Sequence, residues 1–263
     1  MPPVIALLTD FGLRDHYVGA MKGAILSVCP EASLVDVVHD LPPHDITAGA
    51  LALEATYRFF PPGTVFVAVV DPGVGSRRRG IGLAAGGWLF VGPDNGLFTL
   101  LLDAHPGAPV HLIANPALSR GPVSPVFHGR DVFAPAAAWL ARGRSLAELG
   151  PRVTDPVRLE LPRKRSHHDE WQGAVIHVDR FGNLTTNLDE RDLDSLAGSG
   201  REGVEVVLGE AVLPLVRTYA DVAVGQPCAL VGSGGRVEIA INQGRAADSL
   251  SAGKGTPVLL RRR

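Results

Sequence analysis

The chain has 263 residues, 46% of them hydrophobic, which is enough for one large domain or two smaller ones with a substantial core. Its 25 Lys and Arg residues nearly balance its 27 Asp and Glu residues, whereas proteins that bind a nucleic-acid backbone usually carry a basic excess. No apolar run approaches the roughly 18 residues of a membrane span, the start of the chain lacks the basic segment of a signal peptide, and Cys29 and Cys228 lie far apart. The sequence therefore predicts a cytoplasmic protein that binds neither nucleic acid nor membranes.

Up to residue 162, apolar strand-like runs alternate with segments of helical spacing. The continuous apolar run Val4–Thr9 predicts a buried parallel strand. The segment 46–60 is the clearest amphipathic helix and ends at a Pro-Pro pair, and the β-branched run 64–70 predicts a central strand. Further helices are predicted at 17–28 and 132–141, and further strands at 33–38, 81–85, 88–91 and 109–114. This alternation predicts an α/β domain with a mostly parallel sheet.

The pattern changes after a short basic connector, which places a domain boundary between residues 162 and 170. From Trp171 onward, short strand-like runs are separated by glycines. Strands are predicted at 173–179, 203–208, 212–217, 228–231, 236–241 and 257–260. We therefore expect an N-terminal α/β domain at 1–162 and a small all-β, barrel-like domain at 170–263.

A carboxylate, Asp10, directly follows the first predicted strand. Open α/β sheets bind ligands at the carboxyl ends of their strands, and an acidic residue there can accept hydrogen bonds from both hydroxyls of a ribose. An Asp in this position can equally serve as a turn residue or as the cap of a following helix. Spacing alone leaves both interpretations open.

The loop after the run 64–70 combines glycines with charged residues. Gly73 and Gly75 allow tight turning, so Asp71 and Arg78 can form a charged pair in a crevice at the sheet end, or the segment can be a hairpin loop with solvated arginines. The glycine pattern invites comparison with the loop by which Rossmann-like methyltransferases bind their cofactor. Such a loop opens a helix, whereas this one leads into another predicted strand, so a methyltransferase is not favoured.

Two further polar segments interrupt the pattern. Asp131 can cap the predicted helix at 132–141, and His128 lies beside a flexible Gly and a charged pair, a position that suits an active-site histidine without establishing one. In the polar cluster 179–187, Asn amides can bind the edge of a base, or Asn and Gly can simply form turns. No His or Cys pair has zinc-like spacing, and no Gly-x-Ser-x-Gly motif of a serine hydrolase is present.

Six motifs, in order along nearly the whole chain, resemble one family. They are LLTDFG, VVDPGVGSRRR, GPDNGLF, FHGRDVFAPAA, VDRFGNLTTN and GSGGRVEIAINQGRA. The chain resembles the S-adenosyl-L-methionine (SAM) hydroxide adenosyltransferases, the hydrolase relatives of the fluorinase and chlorinase. The resemblance implies the two domains described above and a homotrimer with active sites between subunits. It also implies hydrolysis of SAM to adenosine and L-methionine without a metal or other cofactor.

The resemblance assigns roles to individual residues. The family's water-handling Asp, Arg and His fall on Asp71, Arg78 and His128, and Asp71 also counts among the substrate-binding residues. The halogenases carry Tyr at the positions of Asp71 and His128, and a halide-contacting Ser where this chain has Gly129. The resemblance therefore points to water rather than halide as the nucleophile.

The substrate-binding positions follow in the same way. The resemblance implies the ribose-diol carboxylate at Asp10, the adenine-binding amide at Asn183, an aromatic side chain near the base at Tyr219, groups for the methionine end at Asp179 and Ser233, and, as a strand carboxylate for the methionine ammonium, Glu238. Two positions depart from the halogenases. Gly234 stands where the fluorinase has an arginine for the methionine carboxylate, and His44 stands where the halogenase has a tryptophan.

The implied residue types suit a substitution at the ribose 5′ carbon. Methionine leaves as a neutral thioether, so the reaction needs a better nucleophile rather than an acid. A carboxylate and an imidazole can orient water and accept its proton, and Arg78 can hold Asp71 and favour the hydroxide-like form. Two alternatives remain at this point, a SAM-dependent halogenase and a non-catalytic protein that binds SAM or adenosine.

Overall fold

The computed structural model describes residues 2–119, 121–197 and 200–262. The chain divides into two compact units, one that ends at Leu159 and one that begins at Glu160. The first is an α/β unit built on a mixed sheet of parallel and antiparallel strands, and the second is built on a nearly closed, antiparallel, barrel-like sheet. Among the described residues, no helix is both long enough and apolar enough to cross a membrane.

The described part of the first unit contains a six-stranded sheet in the order β2-β1-β3-β5-β4-β6. Its strands are β1 (Val4–Thr9), β2 (Ser33–Val38), β3 (Val65–Val69), β4 (Gly80–Ala85), β5 (Trp88–Pro93) and β6 (Val110–Leu112). The pairs β1–β2, β1–β3 and β3–β5 are parallel, whereas β4 runs antiparallel to both β5 and β6. The central strands β1 and β3 are apolar and almost wholly buried, as expected for parallel strands in the middle of a sheet.

Four α-helices accompany this sheet in the described residues. They are α1 (Tyr17–Leu26), α2 (Ile46–Thr56), α3 (Thr99–Ala104) and α4 (Ala134–Ala141). Helices α1 and α4 bury their apolar side chains in one core with alternate residues of β1 and β3. The helix expected at 46–60 changes into a short 3-10 turn at Tyr57–Phe59, and α3 was not predicted.

The helix expected at 132–141 begins differently from the prediction. A single wide turn, Gly129–Phe133, precedes α4, and Asp131 lies inside that turn rather than at a helix cap. Its Oδ2 instead accepts a hydrogen bond from the backbone N–H of Ser124 at 2.9 Å, and Arg130 donates to its Oδ1 at 2.7 Å. Asp131 therefore fixes the loop in front of His128, and the predicted capping role is wrong.

The described part of the second unit contains eight strands and two short helices. The strands are β7 (Arg165–His167), β8 (Glu170–Val178), β9 (Leu184–Asp189), β10 (Val204–Leu208), β11 (Ala211–Leu213), β12 (Pro227–Val231), β13 (Arg236–Ile241) and β14 (Pro257–Arg262), and the helices are α5 (Glu190–Ala197) and α6 (Ala246–Ser249). Seven strands follow the order β11-β10-β14-β8-β9-β13-β12, with β7 paired to β8. A parallel bridge between Leu215 and Ala229 brings the chain after β11 to β12, so the sheet nearly closes.

Strand β9 corrects the interpretation of the polar cluster 179–187. Thr186 is fully buried in this strand and donates to the carbonyl of Val237 at 2.8 Å. Asn187 accepts from the N–H of Ala174 at 2.8 Å and donates to the carbonyl of Pro162 at 2.7 Å. The second half of the cluster is therefore structural, because its polar groups are satisfied inside the unit.

Candidate active site

Two carboxylates of the first unit lie at one edge of its sheet. Strands β1 and β3 are parallel neighbours with Thr9 opposite Val69, so Asp10 and Asp71 both follow the carboxyl ends of adjacent strands. The chain leaves β1 toward β2 on one side and leaves β3 toward β4 and β5 on the other. Ligands of open α/β sheets bind at such a point of reversal.

Asp71, Arg78 and His128 form one hydrogen-bonded set, here called the water set. Nε of Arg78 donates to both carboxylate oxygens of Asp71 at 2.9 and 3.0 Å, and Nη2 donates to Oδ2 as well. The same Nη2 lies 2.7 Å from Nδ1 of His128. The side chains of Arg78 and Asp71 are only 10% and 4% exposed, so this is a buried ion pair and not a loop of solvated arginines.

The guanidinium of Arg78 determines the tautomer of His128. A guanidinium has only donors, so Nδ1 of His128 must accept, and the ring proton of the neutral imidazole is on Nε2. Burial lowers the pKa of His128 below its ordinary value, and the positive charge of Arg78 acts in the same direction, against Asp71 and Asp131. His128 is therefore a neutral ring at neutral pH that presents an N–H donor.

The loop between β3 and β4 brings Arg78 back to Asp71. Gly75 has a φ of +78°, and a Cβ there would lie 2.5 Å from the carbonyl oxygen of Pro125, so only glycine fits. The neighbouring Arg79 points elsewhere and forms ion pairs with Asp94 and with the exposed Asp155. Adjacent arginines of this loop thus have separate roles.

The carboxylate of Asp10 is partly exposed and is held from the segment after β2. Its Oδ2 accepts a hydrogen bond from the backbone N–H of His44 at 2.8 Å. His44 adopts a φ of +67°, which is uncommon for a residue other than glycine and costs conformational energy. The N–H of Gly12 also donates to the carbonyl of His39 at 2.8 Å, so one backbone–backbone bond and one backbone–side-chain bond tie the Asp10 turn to this segment.

A relay of four side chains, Lys22, Asp36, His39 and Thr9, supports the same turn, and its inner members, His39 and Thr9, are buried. Lys22 donates to Asp36 at 2.7 Å, Nε2 of His39 lies 3.0 Å from Asp36, and Nδ1 of His39 lies 2.8 Å from the hydroxyl of Thr9. Burial acts to raise the pKa of Asp36, but the bonds from Lys22 and His39 lower it overall. The carboxylate therefore accepts from Nε2–H of His39, and the hydroxyl of Thr9 accepts from the N–H of Phe11 at 3.2 Å.

The second unit contains a pocket of about 880 Å³ between the β8–β9 turn, the segment before β12 and the turn after it. Its lining includes all the residues that the sequence assigns to substrate binding in this half of the chain, namely Asp179, Asn183, Tyr219, Ser233 and Glu238. The fold thus brings five residues together that are spread over 60 positions of the sequence.

Two pairs of polar side chains organise this pocket. Asp179 accepts from the backbone N–H of Asn183 at 2.8 Å and from its side-chain amide at 3.2 Å, which leaves the amide oxygen and one N–H of Asn183 for a ligand. Tyr219 donates to Glu238 at 2.7 Å. Burial raises the pKa of Glu238, the bond from Tyr219 opposes this, and Asp179 adds to it, so this carboxylate favours a cationic partner.

Comparison with known proteins decides the family. The model of the SAM hydroxide adenosyltransferase N-terminal domain matches residues 5–150, and that of the C-terminal domain matches residues 173–259. The chain belongs to the SAM hydroxide adenosyltransferase family. It is 41% identical to the (R)-S-adenosyl-L-methionine hydrolase of Thermus thermophilus, over 99% of this chain and 100% of the relative.

Two further similarities place the chain within this family. A fluorinase of an Actinoplanes species is 31% identical over 91% of each chain. The crystal structure of an uncharacterized conserved protein from Thermotoga maritima has a TM-score of 0.90 at 34% identity, and the match covers 98% of this chain and 100% of that one. Proteins named as hydrolases and proteins named as fluorinases thus both resemble this sequence over most of its length.

Gly129 bears on the difference between these two kinds of relative. It is buried in the turn before α4, and a Cβ there would lie 3.2 Å from Sδ of Met21 and 3.4 Å from the ring of Phe11. A Cβ at this position would require Sδ of Met21 to shift by a few tenths of an ångström, whereas the distance to the ring of Phe11 is at the limit of ordinary contact. The local packing is therefore close around this glycine.

The sequence interpretation missed several side chains at both sites. Phe11 and Phe127 meet edge to face at 6.2 Å next to His128 and line a pocket of about 480 Å³. Phe181, 73% exposed, and Arg217 line the pocket of the second unit. For Phe181 and Arg217 the available signal was an aromatic or basic residue in a turn, but in a single sequence such residues look like ordinary surface residues.

Proposed function

We propose that this chain hydrolyses SAM to adenosine and L-methionine by in-line attack of water on the ribose C5′ atom. The observation that carries the proposal is the water set, a buried Asp71–Arg78 ion pair bonded to the half-buried His128, at the sheet end that also presents Asp10. The hydrolase name of the Thermus thermophilus relative, at 41% identity over nearly the whole chain, supports the same reaction. No metal or organic cofactor is needed, because the sulfonium already makes methionine a good leaving group.

The hydrogen bonds of the water set support one direction for the movement of the proton. Nε2–H of His128 donates to the oxygen of the attacking water, and a free lone pair of Asp71 accepts one of its protons. As the C5′–O bond forms and the C5′–S bond breaks, the proton passes toward Asp71, and Arg78 stabilises the negative charge that develops on the oxygen. His128 thus orients the water, and Asp71 is the acceptor.

The remaining residues hold SAM so that C5′ faces the water. Asp10 binds the ribose hydroxyls, the Asn183 amide binds the adenine edge, and the ring of Tyr219 lies near the base. Asp179, Ser233 and Glu238 bind the methionine end. The full active site forms between subunits of a homotrimer. Light scattering after size-exclusion chromatography should therefore give three times the chain mass of 27.7 kDa.

Labelled water tests the reaction directly. In H₂¹⁸O, adenosine released from SAM should carry the label in its 5′-hydroxyl, and L-methionine should be unlabelled. Label in neither product, or no adenosine at all, contradicts hydrolysis and favours a protein that only binds SAM or adenosine. With chloride or fluoride added, a 5′-halogenated nucleoside as the main product would instead assign the chain to the halogenases.

A further inference from the structure

The arginines that line the pocket of the second unit differ in whether they have a carboxylate partner. Its lining includes two acidic side chains, Asp179 and Glu238, and three arginines. Arg245 is engaged, because it forms an ion pair with Asp248 and donates to the carbonyl of Arg180. Within the part of the chain that the structure describes, the guanidinium groups of Arg180 and Arg217 contact no carboxylate. One or both are therefore available to an anionic group of a ligand.

The sheet places Arg217 at one particular end of this pocket. Leu215 forms a parallel bridge with Ala229 of β12, so two residues later Arg217 is level with Val231, the last residue of that strand. The next residues form the turn that carries Ser233, which also lines the pocket. Arg180, by contrast, belongs to the β8–β9 turn beside Asn183.

The turn after β12 cannot supply the positive charge itself. Its central residue is Gly234, which has no side chain, and among the described residues no atom lies within 4 Å of a Cβ built there. Arg217 is the cation on the adjoining segment. Two positions further on, Tyr219 donates to Glu238, so a cation and a carboxylate lie on one stretch of the pocket wall.

We infer that Arg217 binds the α-carboxylate of the methionine moiety and so makes this enzyme selective for the carboxylated form of its substrate. The inference rests on the proposed function. An amino-acid zwitterion needs one positive and one negative partner, and Arg217 and Glu238 provide them. A guanidinium can hold both oxygens of a carboxylate at once, which a lysine ammonium cannot do.

Calorimetric titration of the full-length protein tests this assignment without turnover. S-adenosylhomocysteine is a suitable probe, because it keeps the carboxylate but has a thioether in place of the reactive sulfonium. Its decarboxylated analogue is the matched second probe. Arg217→Gln should raise the Kd for S-adenosylhomocysteine about tenfold and change the Kd for the decarboxylated analogue less than about twofold. Arg217→Lys should recover part of the loss.

Arg180→Gln is the control, since it removes the same charge from the opposite turn and should keep the wild-type preference. The inference is overturned if Arg217→Gln keeps the preference, if it weakens both probes equally, if Arg180→Gln is the variant that loses the preference, or if the wild type has none. Circular dichroism of each variant checks folding. A failure of the labelled-water experiment would remove the hydrolase function, whereas the two binding constants decide the role of Arg217 separately.

Discussion

The water set and the pocket of the second unit differ in how much of their hydrogen-bonding capacity is already used. In the water set, Asp71 and Arg78 are buried and use most of their hydrogen-bonding capacity on each other and on His128. In the pocket, Tyr219 and Arg217 are exposed and keep capacity for a ligand. Groups that handle charge in a transition state gain from being fixed in advance, because they need not reorganise during the reaction. Groups that recognise a substrate need hydrogen-bonding capacity that is still free when the substrate binds.

The largest difference between the two regions should appear when the carboxylate of the water set is removed. Asp71→Asn should lower kcat by about 10²- to 10⁴-fold, because the proton acceptor is lost. It should also lower the free energy of unfolding by about 3 kcal/mol, since Arg78 is left buried without its counter-charge. Chromatographic measurement of adenosine and urea denaturation provide the two readouts.

Asp155→Asn is the matched control for this prediction. Asp155 also pairs with an arginine of the same loop, Arg79, but its side chain is 79% exposed. We expect little change in either measurement, because exposed ion pairs contribute little. Equal effects of the two substitutions would show that burial of the water set does not matter.

A pH profile provides the second test, because burial and Arg78 lower the pKa of His128 below 6.5. The neutral ring then persists as the pH falls through 6.5, so the rate of adenosine formation should stay level there and decline about tenfold per unit only at lower pH. The unfolded chain binds this proton first, so His128 also contributes a loss of stability that begins as the pH falls below 6.5. His128→Asn should move the onset of the acidic decline to lower pH, and a wild-type decline that begins above pH 6.5 would contradict the assignment.

A pair of buried threonines separates positioning from stability. Thr9→Val removes the bonds from the relay to the Asp10 turn, and Thr64→Val removes one bond to the carbonyl of Pro61 at the other end of β3. Each substitution should cost about 1–2 kcal/mol of stability. Only Thr9→Val should weaken adenosine binding, about fivefold by calorimetry. Equal weakening in both variants would mean that the relay merely stabilises the fold.

The smallest effect is expected in the pocket. Tyr219→Phe removes the hydroxyl bond that opposes the raised pKa of Glu238, so the carboxylate holds its proton to higher pH. Binding of S-adenosylhomocysteine should weaken about threefold at pH 7.5, and further at pH 6. Tyr17→Phe is the control, because the hydroxyl of Tyr17 makes no hydrogen bond within the described residues. An unchanged affinity of Tyr219→Phe at both pH values would refute a role for this contact.

The strands with continuous apolar sequence were predictable, and so were the polar residues that follow them. Strand β1 has the predicted bounds, and the positions of Asp10 and Asp71 at one sheet edge follow from the parallel pairing of β1 with β3. Strand β9 was missed because Thr186 and Asn187 are polar, and their burial depends on partners distant in sequence. The predicted strand at 212–217 ends early at Leu213, because Pro214 has no N–H to donate.

The types of individual residues predicted only part of the site. From residue type alone, Arg78 could belong either to a buried ion pair or to a solvated loop. The turn at Gly75, which brings Arg78 back to Asp71, makes it part of a buried ion pair. The resemblance to the family supplied the assignments, but it offered no residue for the methionine carboxylate. Arg217 emerges only from the near closure of the barrel-like sheet, which no local pattern encodes.

The left-handed backbone at His44 has a consequence for laboratory evolution of this enzyme. Residue 44 reaches the carboxylate of Asp10 through its main chain and not through its ring. Glycine and asparagine, which enter this conformation at low cost, should be accepted, whereas valine and isoleucine should be rejected. In a saturation library at codon 44, the accepted residues should therefore be those that tolerate a positive φ. The charge and aromaticity of the side chain should matter less.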